Sequence, residues 1–139
     1  MYTFFKRTAP YPDLITFDCP DANLVSIRRN VSNTPLQALT TLNATSFAEA
    51  ARAMAKRLLA DPDDASRVAH CFRLCVTRPA QPQELTALTA LLDKARAYYL
   101  SHPDEAKTMA GPLTPVADAA ALTATARIVM NTDEFITRE

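Results

Sequence analysis

Arg28 and Arg29 stand close in sequence to Asp13, Asp18 and Asp21, and these are the best candidates in the chain for an ionic cluster. A guanidinium can hold a carboxylate or a phosphate through two parallel hydrogen bonds. Asp18, Arg28 and Arg29 are therefore the candidate ligand-binding residues, for an anion or a sugar acid. The structural alternative is that the arginines tie an irregular segment down through carboxylates and backbone carbonyls, because such a segment has few ladder bonds. The two readings differ in one observable. A packing module buries the three residues in mutual ion pairs, whereas a partial active site leaves them in an open polar pocket.

The other chemistry-bearing groups are weaker. His70, Cys71 and Cys75 carry metal-type side chains, but zinc sites use four ligands, or three and a water, and the second histidine, His102, is distant in sequence. Cysteines at helical spacing read as small core residues, and a disulfide across one helical turn would be strained. No metal site and no cofactor is expected. Asp133 and Glu134 are adjacent acids that read as solvated or paired with a helix-borne arginine such as Arg127. Two histidines outside any motif make no Ser-His-Asp or Cys-His set, so no catalytic residue is assigned.

These residues must be positioned by a mostly α chain. It has 139 residues, 48% of them hydrophobic, which is one domain's length and enough apolar content for a core. A single glycine, Gly111, disfavours tight hairpins, P-loops and dinucleotide fingerprints together. Alanine supplies most of the apolar surplus and favours helix. Fifteen basic and fifteen acidic side chains cancel. No global field therefore recruits nucleic acid, although Lys6 and Arg7 follow Tyr2, Phe4 and Phe5. No run approaches the roughly 20 apolar residues of a membrane span. The opening MYTFFKRTAPYP has no signal-peptide pattern.

Residues 1–33 show no helical period and are broken by Pro10, Pro12 and Pro20, so an extended arm with short strand pieces is expected. The helical domain is expected over 34–139, as a bundle of about five helices. Thr34, Pro35 and Gln37 form a capping-box start, and Leu36, Leu39 and Leu42 are expected to share the apolar face. Thr45 or Ser46 is expected to cap the next helix, with Phe47, Ala51, Met54 and Leu58 inside. Asp64 is expected to cap a third, burying Val68, Phe72, Cys75 and Val76 until Arg78-Pro79 ends it. A long helix begins near Pro82, with Leu85, Leu88, Leu92, Ala95 and Tyr99 at near-heptad spacing. A short turn or helix at 103–110 precedes a last helix over about 116–131, whose core side is Leu122, Ala126, Val129 and Met130. Phe135 and Ile136 predict a docked tail.

The run FDCPD…RRN…NTPLQALTTLN, with YTFFKRTAPYP before it, LNATSFAEAARAMAKRLL after it and RIVMNTDEFITRE near the end, resembles the C-terminal part of the planctomycete DUF1553 family, PSD1. Family members are longer, and are similar to secreted or envelope proteins with a DUF1549 region and often a c-type haem domain ahead of this segment. The resemblance implies that this chain is a fragment of such a protein, with those upstream regions as partners. It also implies a secreted or envelope location. The chain lacks Cys-x-x-Cys-His, so no haem attachment is carried over. Two functions follow as expectations. One is a non-catalytic module for packing and protein–protein contact. The other is part of a carbohydrate-related or haem-coupled enzyme completed upstream. Under either fragment reading, Tyr2, Phe4 and Phe5 are expected to be exposed or to cover a surface facing the absent region.

Overall fold

The computed structural model describes residues 4–6, 8–20, 23–28 and 30–137. Among them the regular structure is all helical: α1 Pro12–Thr16, α2 Pro35–Asn43, α3 Thr45–Leu58, α4 Asp64–Val76, α5 Pro82–Ser101, α6 Pro103–Ala110, α7 Val116–Val129 and α8 Asp133–Ile136. The mostly α bundle is thus observed, with α6 as a full two-turn helix. No strand occurs among the described residues, and the segment expected to be extended contains α1. Pro12 supplies the first helical position there, and Asp13 places a carboxylate in the first turn.

The helix starts follow local chemistry. At α2 the Thr34 hydroxyl accepts from Gln37 N at 3.3 Å, and Gln37 Oε1 accepts from Thr34 N at 2.9 Å. At α5 Glu84 Oε2 accepts from Gln81 N at 2.7 Å. Two expected caps shift. Asp63, not Asp64, caps α4 by accepting from Ser66 N at 2.8 Å, which leaves the Asp64 carboxylate for Arg67 and Arg96. Ala44 precedes α3 with no side-chain cap, and Thr45 is the first helical residue. Gly111 closes α6 at φ +62°, a backbone region that costs an L side chain strain.

The core is centred on α7, which packs against α3, α5 and α6. Ala119, Ala120, Ala121 and Ala126 are fully buried there, so neighbouring backbones approach closely. Its buried Thr123 and Thr125 hydroxyls donate to the carbonyls of Ala119 (2.7 Å) and Ala121 (2.9 Å), which satisfies both without a polar partner from outside the helix. Leu58, Val68, Phe72, Leu92, Leu122 and Val129 complete the interior. All four expected core residues of α7 and its end, Leu122, Ala126, Val129 and Met130, are buried. Phe135 of α8 packs against this core, so the tail docks.

On α2 the expected apolar face is mostly displaced, and only Leu42 of its three leucines is half-buried. Leu36 and Leu39 are 59% and 57% exposed, whereas Gln37 and Thr41 are buried. The polar face wins because its partners are already in place. Gln37 Nε2 donates to Thr16 O at 2.9 Å and Ser32 Oγ at 3.1 Å, and Thr41 Oγ1 meets Asn131 Oδ1.

Candidate functional site

Asp18 is the hinge between α1 and α2. It sits at φ +56°, a conformation that Asp tolerates better than most non-glycine residues. Its Oδ2 accepts from Ser32 N at 2.8 Å and Ser32 Oγ at 2.7 Å, and Gln37 Nε2 approaches to 3.4 Å. This carboxylate closes the loop between residues 18 and 32 against the start of α2. Arg28 is exposed on that loop and makes no ion pair with a described residue. Asp18 and Arg28 do not pair with each other. They line a common open cleft of about 570 Å³, together with Ile15, Val25 and Ile27. Arg29 and Asp21 lie outside the described residues.

The acid pair of the tail is split between two jobs. Asp133 Oδ1 accepts from Asn33 Nδ2 at 2.8 Å. Glu134 is gripped by Arg78, not by Arg127. The same Arg78 guanidinium takes Glu84 through two further bonds of 2.9 and 2.7 Å and lies 4.8 Å over the Phe72 ring. Arg78 thereby holds the Glu84 carboxyl down at about 2. Arg96 plays the same part elsewhere, holding Asp118 at 2.6 Å and Asp64 at 2.9 Å.

His70 and the cysteines separate. Cys71 and Cys75 are buried against each other, and their mutual hydrogen bond, followed by burial, pushes the Cys71 thiol far up. The same hydrogen bond shifts the Cys75 thiol down against the effect of burial, and both sulfurs are closed off from solvent in the core. His70 Nδ1 lies 2.7 Å from Asp61 Oδ2. Among the described residues no group of three His, Cys, Asp or Glu side chains could hold a metal.

The arrangement missed in the sequence lies between the ends of α2, α6 and α7. A cleft of about 540 Å³ is lined by Leu42, Arg52, Tyr99, Met109 and Arg127, with Asp104 and Glu105 at its acidic side. Arg52 donates to Met109 O at 3.0 Å and Thr108 O at 2.9 Å, and Arg127 Nη2 donates to Leu42 O. Each guanidinium thus neutralises carbonyls near a helix C-terminus, where the dipole favours a cation. Arg127 Nε is buried without an acceptor. No motif joins these residues, because they come from four helices and the end of a fifth.

The fold and these sites describe a helical bundle braced by arginine clamps, with an irregular, aspartate-pinned segment before it. Residues 1–92 match the PSD1 family, proteins of unknown function (DUF1553), and the chain belongs to that family. The match runs from the N-terminal segment to Leu92 within α5, so α6, α7 and α8 lie beyond it. No curated protein and no solved structure matches the chain.

Proposed function

We propose that this chain is a non-catalytic helical module of a larger secreted or envelope protein, and that it packs against another domain of that protein. The observation that carries this reading is the concentration of exposed apolar side chains before and along α2. Phe4 is 85% exposed, Val25 94% and Ile27 99%, and Leu24, Val31, Leu36 and Leu39 are also open. Large apolar patches of this kind mark interaction surfaces. Tyr2, of which the same exposure was expected, lies outside the described residues. A DUF1549-type region is the proposed partner, with a c-type haem domain as the alternative partner.

The test is hydrogen exchange on this chain with and without a DUF1549-type domain supplied by fusion. Protection spreading over residues 4–39 supports the module. Unchanged exchange there, with the isolated chain monomeric and binding no apolar dye, would overturn it.

The second reading is part of a carbohydrate-related or haem-coupled enzyme. It is favoured by one observation: Asp18 and Arg28 share an open cleft without neutralising each other. Uronic-acid binding lost in Arg28→Gln would move the balance to this reading.

A further inference from the structure

We propose that the cleft between α2, α6 and α7 binds a small monocarboxylate with an apolar body. This site is separate from the docking face and stands or falls without it.

The argument begins with how this protein treats its other inter-helix arginines. Arg78 and Arg96 each meet at least two carboxylates within 3.0 Å. Arg52 and Arg127 meet none among the described residues. Helix capping accounts for part of their hydrogen bonding and no more. A guanidinium carries five N–H donors. Arg127 spends one terminal nitrogen on Leu42 O, its other terminal nitrogen finds only the Met109 sulfur at 3.7 Å, and its Nε is buried with no acceptor. Leaving a charged donor group under-satisfied in a buried place is costly. A carboxylate at the terminal nitrogens would offset that cost with charge-assisted bonds.

Tyr99 adds a neutral donor to the same wall. Its hydroxyl has no hydrogen-bond partner among the described residues, and burial raises its pKa, so the proton stays on at neutral pH. Leu42, Ala48 and Met109 supply apolar surface for the remainder of the ligand. The volume of about 540 Å³ lies within the range of small-molecule pockets. Asp104 and Glu105 set the charge limit. Glu105 is engaged by the Tyr98 hydroxyl at 2.7 Å and Asp104 by Lys107 at 3.4 Å, yet both carboxylates line the cleft and repel a multiply charged anion. A single carboxylate is therefore favoured over phosphate. Tyr99, Met109 and Arg127 all lie beyond residue 92, outside the segment that the family match covers.

The experiment is a titration of the ¹⁵N-labelled full chain with octanoate, benzoate and, separately, inorganic phosphate. The expected result is saturable shifts with either carboxylate below ~10 mM, centred on Leu42, Arg52, Tyr99, Met109 and the Arg127 Nε–H. Phosphate should give none. Tyr99→Phe should keep the fold and weaken octanoate binding several-fold, and Arg127→Lys should weaken it about tenfold. Should Arg127→Lys loosen α2, Tyr99→Phe alone decides. Absence of saturation with both carboxylates, equal binding of phosphate, or unchanged affinity in folded Tyr99→Phe would overturn the proposal.

Discussion

Arg78 and Glu134, 56 residues apart, are joined by two parallel hydrogen bonds, Nε to Oε2 at 2.8 Å and Nη2 to Oε1 at 2.7 Å. The same guanidinium holds Glu84 at the start of α5, so one side chain from the α4–α5 turn fastens α5 and α8. Arg78→Met should lower Tm more than Glu134→Gln, because it releases both carboxylates and the contact with Phe72. Amide exchange should rise over residues 133–136 in both variants. Equal Tm values for the two would show that the Glu84 half contributes nothing.

The same clamp predicts an acid limb. Arg78 draws the Glu84 pKa from 4.5 to about 2 in the folded protein, and Glu134, Asp63 and Asp64 are shifted in the same direction. A depressed folded pKa stabilises fully above the unfolded value. That contribution fades as pH falls from about 4.5 and is gone below about 2. Thermal melts across this window should show Glu84→Gln losing less stability on acidification than the unaltered chain. Parallel pH curves would contradict the assignment.

Gln37 and Leu36 are neighbours on α2 with opposite consequences. Gln37→Leu removes the partners of Thr34 N and Thr16 O in a buried place and should cost about 2–3 kcal/mol. Leu36→Ser changes an exposed position and should stay within about 0.5 kcal/mol. Urea denaturation of both variants measures the contrast, and a reversed order would mean that the leucine face is the packed one.

In α7 the fully buried alanines set the helix spacing. Ala120→Leu should cost about 1–3 kcal/mol by overpacking. Leu122→Ala should cost about 2–5 kcal/mol by leaving a cavity. Chemical denaturation distinguishes them from surface changes such as Lys107→Ala, which should be neutral.

The sequence by itself determined what is local. The Thr34–Gln37 box, the proline-led start of α5, the glycine stop after α6 and the apolar side of α7 each depend on residues within a few positions of one another. That is why the helical class and most helix bounds were legible. Asp18 was singled out in the sequence for its charge opposite Arg28 and Arg29, and the structure does not pair it with Arg28. Its actual partner was not legible, since Ser32 is reached only when the loop closes. Tertiary structure alone decided the rest. It buried Gln37 and Thr41 in place of Leu36 and Leu39, because acceptors on α1 and after α7 were waiting for them. It gave Glu134 to Arg78 and left Arg127 to Leu42 and a half-satisfied cleft. Hydrogen-bond partners separated by 56 or 85 residues are set by how helices pack, and helical periodicity carries no record of that choice.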